Sequence, residues 1–140
     1  MCDISRFQQG YNKSFSIALR EIEQGRKTSH WIWWIFPTSP YLSDTGLEIG
    51  SDMNKRYAMR SDLEVVAFLW DPFIREKYIK LIRGVLHQCS RDIPLHQLLG
   101  NDIVKFHSHI ALFKEVVSNK IRDDEILGLL QMFPILCDCQ

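Results

Sequence analysis

Neither sign of charge is in excess in this chain: 17 Lys and Arg balance 17 Asp and Glu, for a formal net charge of zero. Nucleic-acid binders carry a basic excess or a dense basic face, because phosphate neutralisation dominates their affinity. No nucleic-acid partner is therefore expected. Long apolar runs are missing too. The longest nearly apolar stretch, residues 31–36, falls far short of the roughly 20 residues that span a bilayer. Residues 1–10 lack the apolar core of a secretory signal. These absences exclude a membrane role and point to the cytoplasm, where the four cysteines (Cys2, Cys89, Cys137 and Cys139) are expected as reduced thiols.

Glycine-rich phosphate loops are absent as well. The seven glycines are scattered, and neither G-x-G-x-x-G nor a P-loop occurs. No G-x-S-x-G elbow offers a nucleophilic serine. Strand signals are scarce: no segment alternates cleanly, and no Asn-Gly or Asp-Gly pair joins two β-rich stretches.

What is present is apolar mass patterned for helices. With 46% hydrophobic and 11% aromatic residues, a chain of 140 residues buries about two-thirds of the surface its unfolded state exposes. Disordered chains are apolar-poor and strongly charged, so disorder is excluded. The length fits one domain, residues 1–140.

Phe15, Ala18, Leu19 and Ile22 recur at helical spacing and Gly25 follows as a stop, predicting a first helix over residues 12–24. The segment HWIWWIFP, residues 30–37, is apolar on every side, and Pro37 ends any helix there. Residues 38–50 form the one clear loop, the natural place for a flexible lid. A short helix is predicted over residues 51–59. Ser61 and Glu64 have capping-box spacing and open a helix through Trp70. Asp71-Pro72 then starts the longest helix, with Ile74, Tyr78, Leu81, Ile82, Val85 and Cys89 as its inner stripe. A short helix over residues 94–99 closes at Gly100, and another runs to about Val117 with Asp102 as its cap. The last, residues 123–133, is stopped by Pro134. The fold class predicted is all-α: a compact multihelical bundle of about seven or eight helices with no substantial sheet.

Three tryptophans within four positions, Trp31, Trp33 and Trp34, dominate the search for a site. Each carries a large apolar body and one N–H that needs a partner. They form either the centre of the core or a stacking wall for a planar ligand, with Lys27, Ser29 and His30 at its mouth. Both readings stand on sequence alone.

The stretch SHWIWWIFP resembles the S-H-W-x-W-x-x-F-P signature of an uncharacterised family, domain of unknown function 1810. The approach over residues 25–27, Lys55-Arg56-Tyr57-Ala58, Phe68-Leu69 with Asp71-Pro72, and Leu98-Leu99-Gly100 through Phe113 follow in the same order. The resemblance implies a compact all-helical fold and no established activity. Thr38 stands where the family has glutamine, and His107-Ser108-His109 replaces a Ser-Ser-hydrophobic stretch. Some relatives carry a calpastatin label, but calpastatin folds only on its target, whereas this chain is apolar-rich and helically patterned.

Three close pairs, His107-x-His109, His87-x-Cys89 and Cys137-x-Cys139, raise the question of metal. Structural zinc uses wider spacings, and residues two apart on a helix face different ways, so no metal site and no cofactor is predicted. Ser29 reads as a helix cap. Lys27, Arg56 (beside Tyr57) and Lys105 remain. Gathered beside the tryptophans, they would make an electropositive, aromatic-walled pocket for a small anionic or nucleotide-like ligand, with Arg56 able to grip a phosphate or carboxylate. His30 would be the weak candidate for acid–base catalysis. Ligand binding is thus the first functional reading. A protein–protein interaction module of unknown partner, and a hydrolase or transferase using His30, are the alternatives.

Overall fold

A computed structural model describes residues 2–133 of the chain, which form an all-α bundle. In order come α1 (Ser5–Gln24), α2 (Ile32–Ile35), α3 (Asp52–Tyr57), α4 (Asp62–Trp70), α5 (Pro72–Ser90) and α6 (Leu95–Leu99). A 3₁₀ turn, Gly100–Asp102, leads into α7 (Ile103–Lys120), and α8 (Asp124–Gln131) follows. Among these residues no helix is long and apolar enough to cross a membrane.

The helix ends follow from local chemistry. Gly25 ends α1 with φ 87°, and Arg26 N–H reaches back to the Glu21 carbonyl at 3.0 Å, the αL closure that glycine adopts without a Cβ penalty. The Asp71 carboxylate accepts from the Ile74 N–H at 3.0 Å and starts α5 ahead of Pro72. Ser61 caps α4 through the Glu64 N–H at 3.2 Å. The return arm of that box is displaced by one residue: Glu64 accepts from the Arg60 N–H at 2.6 Å.

The core is built on edge-to-face aromatic packing. Phe68 of α4 meets Phe7 and Tyr11 of α1, Tyr78 of α5 and Phe113 of α7 at centroid distances of 5.4–5.7 Å. Such pairs add about 0.5–1.5 kcal/mol each beyond the area they bury. The predicted α5 stripe is buried throughout.

Four expectations change. The first helix begins at Ser5, about two turns before residue 12, with Gly10 in its interior. Glycine is a poor interior residue by propensity, but a Cβ at Gly10 would lie 2.3 Å from Trp34 Cδ1, so the close approach of α2 requires it there. Residues 30–36 give only one helical turn, α2, whose N-cap is Trp31 without a side-chain cap bond. Asp102 precedes α7 without capping it. Cys89 is buried as expected but is disulfide-bonded rather than reduced, while Cys2 is a free thiol. Pro134 and the Cys137-x-Cys139 pair lie outside the described residues.

Candidate functional site

The tryptophan stretch divides its rings between core and surface. Trp31 is 1% exposed, and its indole N–H donates to Glu21 Oε1 at 2.9 Å. Glu21 sits on the inward face of α1 with Ala18 and Ile22. It also accepts from the Thr28 and Ser29 N–H groups at 2.9 and 3.0 Å and from both hydroxyls. Burial pushes the Glu21 carboxyl up, but these donors outweigh it and hold the group at about 2, against an ordinary 4.5. The ionised carboxylate therefore fixes residues 28–31 on α1. Ser29 is spent on this task and caps no helix.

Lys27 is turned inward by the same segment. Its backbone N–H donates to the Leu98 carbonyl at 2.7 Å. Its ammonium lies 2.6 Å from Asp102 Oδ2, donates to the Ser29 carbonyl and sits 4.7 Å above the Trp31 ring. Lys105 binds the other oxygen of Asp102 at 3.2 Å and lies 5.0 Å over Trp33. Burial raises the Asp102 carboxyl, yet the two ammonium groups lower it further than that. The cap reading for Asp102 gives way to this pairing. Two of the three cations foreseen at a pocket mouth are thus gathered, but around a carboxylate that neutralises them.

Arg56 belongs to a different group. Arg6, Gln9, Gly10 and Lys13 of α1, Trp34 of α2, and Arg56 and Tyr57 of α3 line a cavity of about 180 Å³. The Trp34 and Tyr57 rings are 5.2 Å apart and tilted. Trp34 is anchored by its N–H on Ser14 Oγ at 3.0 Å, and the Arg56 guanidinium stands 5.4 Å from the Tyr57 centroid. Arg6 is tied to Glu64 and to the Ala58 carbonyl, both at 3.0 Å, while its Nε is buried without a partner. Lys13 and Arg56 form no ion pair among the described residues. No carboxylate lines the cavity. In a chain of zero net charge, this wall is cationic and aromatic.

Arg6 and Gln9 escaped the sequence reading because both precede the helix predicted over residues 12–24, which left Lys13 without neighbours on its face. Their spacing of three and four residues is the signal that would have found them.

His30 is exposed and lies outside the wall of this cavity. His109 and His107 face apart, as the spacing required: His107 is exposed and His109 fully buried. The Pro37 carbonyl lies 2.8 Å from His109 Nδ1, and the Tyr78 hydroxyl 2.8 Å from Nε2. A ring donating to Pro37 and accepting from Tyr78 meets both contacts. Burial drives its pKa down to about 3, so His109 is a neutral core residue joining α5, α7 and the end of the tryptophan segment. The loop after Pro37 is closed by one antiparallel bridge, Leu42 to Glu48. Asn54 holds its base, accepting from the Tyr41 N–H at 3.0 Å and donating to the Ser39 carbonyl at 3.3 Å.

A family model described as "Protein of unknown function (DUF1810)" matches residues 1–131 of this chain. The chain belongs to the DUF1810 family. A crystal structure of a conserved hypothetical protein, Rv1873 from Mycobacterium tuberculosis, has a similar fold, with a TM-score of 0.74 at 22% identity. The match covers 92% of this chain and 85% of that one. A search of curated proteins gives no match.

Proposed function

We propose that this DUF1810 protein binds a small anionic ligand with a planar part, such as a nucleoside monophosphate, in the cavity between α1, α2 and α3. The observation that carries this reading is the wall itself: Arg6, Lys13 and Arg56 beside the half-buried rings of Trp34 and Tyr57, with no acid among them. Arg56 has its guanidinium fork free for a bidentate grip on phosphate or carboxylate. The volume, about 180 Å³, lies below the roughly 300 Å³ at which drug-sized sites begin. The anionic head and one edge of a ring fill it, and the rest of such a ligand lies outside. Lys27, Ser29, Trp31 and Lys105 act in this reading as the scaffold that holds α2 in place.

Thermal unfolding against inorganic phosphate, adenosine monophosphate and a panel of phosphorylated metabolites tests the proposal. A ligand at about 100 times its dissociation constant adds about 2.7 kcal/mol of stability. Arg56→Ala, at an exposed position, should fold normally and weaken binding at least about tenfold, or about 1.4 kcal/mol. Silence across the panel, or equal binding by the variant, would defeat it.

One observation favours the interaction module as a second reading. Tyr41, Leu42, Leu47 and Ile49 of the bridged loop are 39–68% exposed, an apolar tip held by Asn54 instead of a loose lid. If this tip docks on a protein, Leu47→Lys with Ile49→Lys leaves folding intact and abolishes association. His30 catalysis has no such support, since an acid–base residue needs a group to orient it, and this side chain is exposed away from the cavity.

A further inference from the structure

A second concavity, larger than the first, runs between α1 and α5, with a volume of about 500 Å³. That size falls within the range of small-molecule sites. Lys80, Arg83, His87 and Arg91 stand along one side of it, at spacings of three or four residues that place them in a row on one face of α5. The row spans about 16 Å at 1.5 Å per residue. Glu23 of α1 supplies the one carboxylate on the wall. The floor is apolar, formed by Leu19 and by Gly84, where a Cβ would come within 3.1 Å of Ile22 Cγ2.

Local helix chemistry accounts for only part of this row. Cations in the last turn of a helix complement its dipole, which covers His87 and Arg91. Arg83 and Lys80 lie about one and two turns before His87, outside the last turn to which that effect is confined. Their carboxylate partners do not hold them tightly. Lys80 pairs with Glu76 at 3.4 Å and Arg83 with Glu125 at 3.1 Å, with all four side chains about half exposed or more. Exposed pairs of this kind contribute little and exchange readily, so both cations can turn to a ligand.

The wall also holds an unmet acceptor. Gln88 is 2% exposed, and its amide N–H groups donate to the Ile22 and Glu23 carbonyls, each at 2.8 Å. Its Oε1 is buried without a partner. Buried side-chain oxygens in this condition are few in native proteins, and each calls for an explanation. Several cations spaced along a row thus stand beside a wall residue, Gln88, whose Oε1 is closed to solvent and lacks a donor.

From this we infer that the α1–α5 groove binds a small multiply charged anion that also carries hydroxyl or amino donors, of the chemical class of a sugar bisphosphate. The anionic ends lie against the row on α5, and a donor between them faces Gln88. This site is independent of the Trp34 cavity, which uses the other half of α1 and none of α5.

The test is a two-dimensional amide NMR titration of the full chain with fructose 1,6-bisphosphate, with inorganic pyrophosphate in parallel as an anion without carbon-borne hydroxyls. The expected result is saturable shifts confined to residues 19–23 and 80–91, with pyrophosphate at least fivefold weaker. His87→Ala with Arg91→Ser, both at exposed positions, should weaken the sugar bisphosphate at least tenfold. Arg56→Ala should leave it unchanged, which separates this inference from the proposal above. Absence of shifts at these residues, equal binding of pyrophosphate, or indifference to the double variant would each overturn it.

Discussion

Replacing Gly10 by alanine would normally stabilise a helix interior by about 1 kcal/mol, because glycine loses more backbone entropy on folding and alanine is the best helix former. In this protein the sign is expected to reverse. The added methyl would lie 2.3 Å from Trp34 Cδ1 and 2.6 Å from Cγ, distances that no packed carbon tolerates. The obstacle is the root of a large ring, close to the main chain, so it cannot simply swing aside. Forcing an extra methyl into a filled site costs about 1–3 kcal/mol, and displacing Trp34 also endangers its 3.0 Å bond to Ser14, worth about 1 kcal/mol. The net expectation is a loss of about 2 kcal/mol. Urea unfolding measures it as a lower midpoint with an unchanged slope. Gly128 provides the control: it lies inside α8 with nothing within 4 Å of a built Cβ, so Gly128→Ala should gain about 0.5–1 kcal/mol. If Gly10→Ala stabilises as much as Gly128→Ala, α2 does not rest on α1 as described, and the cavity walled by Trp34 goes with it.

Four further outcomes follow from other buried contacts. Glu21 is held at about 2 against 4.5, so its contribution is complete above pH 4.5 and is lost as pH falls from there towards 2. At about 1.4 kcal/mol per unit, that is on the order of 3 kcal/mol, and Glu21→Gln should flatten the acid limb of a stability–pH curve. His109 is pushed down to about 3 from 6.5, so the unfolded chain takes up a proton that the folded one refuses, and stability should begin to fall below pH 6.5. Tyr78→Phe, which removes the hydroxyl 2.8 Å from Nε2, should cost about 1–3 kcal/mol by urea unfolding. Asp102→Asn leaves Lys27 charged at 5% side-chain exposure with no counter-charge, and a loss of about 2 kcal/mol is expected, more than for Asp52→Asn on the exposed start of α3. Equal losses would show that the Lys27–Asp102 pair contributes nothing special.

Helix ends with local chemistry were legible in the sequence: Asp71-Pro72, Ser61 and Gly25 act where they were read, because each device closes within about five residues. The start of α1 was not, because Gly10 argues against a helix until its partner Trp34, 24 positions on, is known. The site was half legible. Trp34, Arg56 and Tyr57 were among the residues singled out, and the structure brings them together. Lys27 looked no different from Arg56 in sequence, yet it is consumed by Asp102, 75 residues away. Glu21 was overlooked altogether, although a lone carboxylate on the inward face of an amphipathic helix demands donors and so announces a structural centre.

The most direct test of the ligand proposal is to watch the four tryptophan indole N–H signals by NMR while adenosine monophosphate is added. The expected result is a saturable movement of the Trp34 signal, absent in Arg56→Ala, while Trp31, bound to Glu21 in the core, stays in place. A Trp34 signal that does not move at millimolar ligand, or that moves equally in the variant, would contradict an anion site on this ring.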